Sequence, residues 1–308
     1  MRQLTRSYFF LSIGLFVPVF FTTTDWYYTS HKIDFWKNYT PDPGPWCEYA
    51  HPVGFIKEKS NAMSDYLFLF YSLYIMNDSY KVYRETSYSV FRLNPLCEYP
   101  ILIFTYGFIN FMHFWGTFIN HSCRCSIGHQ MDLFWMYLIM GFWTIYYMLR
   151  LSYYQSFNSY FLSNYYISKR FSRVFFFYLL VLSCVVYPLT TIRYAYKYSD
   201  EIETATMLVL GLPCLCLDYR CRTNVTRRNI KLVYSYGNKL IICGLSTIFV
   251  GVVFHKMDIH RIVCNPRSLI QPHAIWHALA STTALIGYIH AKSESIMSIN
   301  NLPLQARS

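Results

Sequence analysis

Apolar blocks recur along the whole chain, at residues 8–22, 62–76, 99–120, 131–150, 174–193, 204–217, 238–255 and 273–291. Each is near the ~20 residues a helix needs to cross the hydrocarbon of a bilayer, the first, second and sixth being short. A short stretch still spans where the bilayer thins or aromatic flanks reach the interface. The blocks are continuous rather than alternating, which argues against barrel strands. Composition agrees: 54% of residues are hydrophobic and 14% charged, against about a quarter charged in a soluble domain. The expected fold class is an all-α membrane protein, a seven-transmembrane-helix bundle with an additional N-terminal hydrophobic segment.

That first segment, "SYFFLSIGLFVPVFF" after "MRQLTR", reads as a signal anchor or a signal peptide within residues 1–24. No small-x-small cleavage site follows, which favours an uncleaved anchor. The net charge of +11 is explained by basic loops. Lys81, Arg84, Arg92, Lys169, Arg170, Arg220, Arg222, Arg227, Arg228 and Lys231 fall in loops 77–98, 151–172 and 218–237. The positive-inside rule makes these loops cytoplasmic. Against it, loop 256–272 on the other side carries Lys256, Arg261 and Arg267. No basic helix with interleaved aromatics and no zinc-finger spacing occurs, so no nucleic-acid partner is expected. With this orientation residues 25–60 are lumenal, and "NYT" offers Asn38 for glycosylation. Residues 61–292 form the seven-helix domain and 293–308 a cytosolic tail.

The same topology brings polar residues to one depth. His121 ends one block, Asp132 begins the next, and His273 and His277 begin the last. All lie at lumenal helix ends. His273 and His277 are four apart, hence neighbours on one helical face. Two imidazoles at that spacing suit one metal ion, and His121 would complete a three-histidine set with a fourth position for water. Asp132 is placed to take and return a proton beside that water. Each signal is weak alone: paired histidines are also found at interfaces, and an aspartate at a helix start can be only a cap. Their convergence near a membrane interior points to function. His31, His51, His113, His129, His255, His260 and His290 are expected at interfaces or in loops, His129 being the first exception to consider. Cys184, Cys214, Cys216 and Cys243 lie in apolar runs and read as small core residues, whereas Cys47 and Cys264 lie in polar segments.

Taken in order, "WCEY" at 46–49, "EKSNAMSD" at 58–65, "GTFINHSCRCSIGHQMD" at 116–132 and "HAIWH" at 273–277 resemble the motifs of the alkaline ceramidases, seven-helix membrane amidohydrolases of the CREST superfamily. The resemblance implies zinc on His121, His273 and His277, with Asp132 activating the water and Thr117 in the place of the family's active-site serine. It also implies a calcium site, for which Glu48 and Glu58 match two ligands and Trp46 offers its carbonyl. Here Pro45 and Ala50 replace two further ligands, and hard cations want several oxygens. The family's disulfide falls on Cys47 and Cys264, which would face an oxidising lumen. The implied function is hydrolysis of the ceramide amide to a sphingoid base and a fatty acid, by a multi-pass protein of the endoplasmic reticulum or Golgi. The alternatives are another CREST lipid hydrolase, such as a GPI-anchor lipid remodelling protein, or a non-catalytic seven-helix lipid receptor.

Overall fold

The computed structural model of this chain describes residues 2–39, 46–86, 94–156, 173–187, 199–226, 230–234, 236 and 238–298. Its long helices coincide with the apolar blocks. They are α1 (Arg2–Ser30), α3 (Tyr66–Thr86), α5 (Pro100–Cys123), α6 (Ser126–Ser156), α7 (Arg173–Tyr187), α8 (Ser199–Thr226), α9 (Lys239–Ile259) and α10 (Pro272–Lys292), with short helices α2 (Lys59–Ser64) and α4 (Pro95–Glu98) between them. Several run past the apolar block, because polar residues at a helix end still join its hydrogen-bond ladder. Among the described residues, three helices are long and apolar enough to cross a membrane: α1 from Phe9 onward, α5 and α9. The exposed side of α9 carries Ile242, Leu245, Phe249, Val252 and Val253, an apolar surface suited to lipid. Cys184, Cys216 and Cys243 are exposed rather than core residues; an apolar run does not distinguish a helix face turned outward from one turned inward.

One departure from all-α is a two-stranded antiparallel ladder, β1 (Ile230–Tyr234) against β2 (Glu294–Ser298), with Ile230 opposite Ser298. It joins segments that read as a loop and a tail.

The chain divides into two compact units. The first comprises residues 1–77, 107–135 and 239–288. Its core packs Val17 of α1 with Leu69 and Leu73 of α3 and Phe114 and Phe118 of α5. The rings of Phe21 and Phe118 meet at a tilt, 4.8 Å between centroids, so α1 is part of this core. At its far end, Asp25 accepts the backbone N–H groups of Phe55 and Ile56 and pairs with Lys59 at 2.9 Å. The segment 46–58 is thereby tied to α1. Asn38 is exposed on the turn after α1, while Thr40 of its sequon lies outside the described residues.

The second unit comprises residues 78–106, 136–238 and 289–308. It is organised by Arg150, which is 1% exposed and pairs with Asp218 at 2.7 Å and with Glu294. Asn94 caps α4 and donates to the carbonyls of Ala291, Lys292 and Glu294. A buried guanidinium is tolerated only because carboxylates meet it on both sides.

Candidate metal centre

Close approach of two helices builds the site. A Cβ on Gly116 of α5 would lie 2.9 Å from the backbone of Met131, and one on Gly128 would lie 2.8 Å from Asn120. Only glycine lets α5 and α6 approach this closely, and the contact brings Thr117, Asn120 and His121 alongside Asp132. The turn between the helices is made at Arg124, whose φ is +49°. It is flanked by a disulfide between Cys123 and Cys125.

From α10, His273 and His277 project to meet His121. Their ring centroids are 4.4 Å apart, and His121 lies 5.0 Å from His273 and 4.9 Å from His277. All three are buried, and one ligand atom from each lies within 4.8 Å of the others. These histidines form a cluster that can hold a metal ion. His121 Nε2 and His273 Nδ1 are buried without a hydrogen-bond partner, a costly state that a bound ion would relieve.

Carboxylates back two of the three rings. Glu58 Oε2 lies 2.6 Å from His121 Nδ1, and Asp65 Oδ1 lies 2.5 Å from His277 Nδ1. With Nδ1 occupied in each, Nε2 is the nitrogen left to coordinate. A carboxylate on the far nitrogen of a ligating imidazole fixes its tautomer and raises its basicity. Three nitrogen donors with an open fourth position are a donor set zinc accepts.

Asp132 is held by Asn120, whose side-chain amide donates to Oδ2 at 2.9 Å, and its Oδ1 lies 3.7 Å from His113 Nδ1. His113, Thr117 and His121 recur every four residues, so they share one face of α5. His113 is therefore an interior residue, 6% exposed and edge-on to Phe68, not an interfacial one. His255 is likewise buried, its ring 5.5 Å from that of His273. The Thr117 hydroxyl donates to Asp65 Oδ1 at 3.4 Å.

The oxygens expected at a calcium site are engaged separately. Both carboxylate oxygens of Glu48 accept N–H groups that open α2, from Ser60 at 2.7 Å and Asn61 at 2.9 Å. Burial nevertheless pushes the Glu48 carboxyl up to about 7, with the charges of Glu58 and Asp258 adding to the effect. Glu58 is committed to His121 on one oxygen, and its other oxygen lies 3.0 Å from Arg124 Nε. The Trp46 ring lies tilted against His273, 4.0 Å between centroids. Among the described residues, the three histidines are the one group of such side chains that converges closely enough for an ion. Pro45 and Ala50 take away two of the oxygen ligands that the resemblance implies for calcium.

Cys47 and Cys264 are joined by a disulfide with 5.6 Å between their Cα atoms. The Cys47 N–H also donates to Asp258 at 3.2 Å. Together these contacts fix the loop that carries Trp46 over His273.

Neither a protein-family model nor a curated protein matches this sequence.

Proposed function

We propose that this chain is an integral membrane zinc amidohydrolase that cleaves the amide bond of ceramides, releasing a sphingoid base and a fatty acid. The observation that carries the reading is the buried three-histidine cluster, two of whose rings rest on buried carboxylates. Such backing is common behind ligating imidazoles and is hard to explain as packing. The spans form the seven-helix bundle of the CREST superfamily after the additional helix α1. The site opens to the lumen of the endoplasmic reticulum or Golgi, where the Cys47–Cys264 disulfide is stable.

Zinc, when bound, supplies a Lewis acid for the amide carbonyl and lowers the pKa of water. The chain's own residues do the rest. Asp132, held by Asn120, takes a proton on the carboxylate edge that faces His113 and returns it to the leaving amine. Thr117 turns its hydroxyl from Asp65 toward the carbonyl oxygen, where a donor stabilises developing negative charge. Glu58 and Asp65 keep their histidines in the ligating tautomer. The apolar residues around the site admit an acyl chain and exclude bulk water.

The test is elemental analysis of purified full-length protein together with hydrolysis of a ceramide panel, for wild type and His121→Ala. The expected result is about one zinc per chain, as a three-histidine site binds, with fatty acid released by wild type alone. Zinc without hydrolysis of any ceramide would favour the lipid-receptor reading. Protein free of zinc would remove both metal readings.

A further inference from the structure

We propose that Arg124 is a built-in cation that pairs with Glu58 and holds it on His121, where the resemblance implies a bound calcium ion. Metal binding at the three histidines then needs Arg124 and not calcium. The second statement rests on the zinc reading above; the first does not.

Glu58 is fully buried, and its carboxylate cannot keep its charge there without a positive partner. A calcium ion would be one such partner, but two of the ligands that the resemblance implies for it are replaced. Pro45 and Ala50 offer no side-chain oxygen, and both oxygens of Glu48 already accept the first N–H groups of α2. A hard cation wants six to eight oxygens. The structure places a guanidinium at the carboxylate instead, Arg124 Nε lying 3.0 Å from Glu58 Oε1. Guanidinium stays charged at any pH the protein meets and needs no free ion concentration to do so.

The local backbone is shaped for this contact. Arg124 takes the left-handed conformation between two cysteines that are bonded to each other. Its N–H donates to Asn120 at 2.8 Å. Beside it, Glu58 N–H donates to the His121 carbonyl and Lys57 N–H to that of Ser122. Asn61 donates to Glu58 Oε2 at 3.2 Å. Glu58 is thus fixed by backbone on one side and by Arg124 on the other, with His121 between them in sequence and in contact with the same carboxylate.

The experiment uses full-length protein in detergent, in buffers freed of calcium by chelating resin. Zinc affinity is measured by competition with a chromophoric chelator, with and without millimolar calcium, for wild type, Arg124→Met and Arg124→Lys. Thermal unfolding of the zinc-free proteins is followed over the same calcium range. Calcium is expected to change neither quantity in wild type. Arg124→Met is expected to weaken zinc binding about ten- to hundredfold, the loss seen when the outer partner of a ligand is disturbed, and Arg124→Lys to recover most of it. An increase in wild-type zinc affinity or melting temperature with calcium overturns the proposal, as does zinc affinity in Arg124→Met within about twofold of wild type. Wild-type protein that binds no zinc sinks the proposed function instead. The charge pairing is then judged on the zinc-free proteins. Adding Glu58→Gln to Arg124→Met restores the lost melting temperature if the two groups are partners, and lowers it further if they are not.

Discussion

Asp65→Asn separates the metal from the fold. Asp65 is fully buried, with Oδ1 2.5 Å from His277 Nδ1 and 3.4 Å from the Thr117 hydroxyl. The substitution keeps the side chain's shape and one acceptor oxygen, and it removes the charge. For the fold, removal of a buried carboxylate's charge relieves a desolvation cost, and the imidazole it faced can be neutral. The zinc-free variant should therefore melt at or above the wild-type temperature. For the metal, the change takes basicity from a ligating ring. Loss of such an outer carboxylate costs about ten- to hundredfold in affinity, or roughly 1.4–2.7 kcal/mol. No discount for solvent screening applies, because the pair is sealed from water. Competition with a chromophoric chelator reads the affinity, and His277→Ala sets the floor. An Asp65→Asn protein that binds zinc within about twofold of wild type would refute the role given to Asp65. So would a loss of affinity that merely tracks a loss of folded protein.

Glu48 sets a pH dependence of stability. Its carboxyl is raised from 4.5 to about 7 by burial, so the folded state binds a proton that the unfolded chain releases. The stabilisation is complete below about pH 4.5, is lost as pH rises toward 7, and amounts to about 3 kcal/mol. Glu48→Gln should match wild type in thermal melts at pH 5 and exceed it at pH 8. Cys47→Ser opens a loop closed across 217 residues; it should lower stability by about 2–5 kcal/mol. It should also weaken zinc binding, since Trp46 loses its position over His273. Arg150→Met removes the cation facing Asp218 and Glu294. The expected cost is about 3–5 kcal/mol in thermal unfolding, with part of the melting temperature recovered on adding Glu294→Gln.

The three clustered histidines are legible because their signal is carried by topology. His121, His273 and His277 stand at the ends of apolar blocks, so counting crossings puts them at one depth without any knowledge of packing. The position of Asp132 is legible for the same reason. His113 is not, although its phase with Thr117 and His121 along α5 can be read from the sequence, because a histidine inside an apolar block suits an interface equally well. The carboxylates are harder to read. Glu58 meets His121 across 63 residues, and nothing local tells a carboxylate that backs a ligand from one that binds a second ion. The resemblance points Glu58 toward calcium, whereas the guanidinium 3.0 Å from its carboxylate lies on a different motif, three residues past His121. Asp65 did carry a signal, an acid opening an apolar helix, and a buried acid there needs a named partner. The ladder of β1 with β2 had none, since strand pairing between a loop and a tail leaves no periodic trace in either. What decides the chemistry at this site is therefore less the count of histidines than which charges lie behind them.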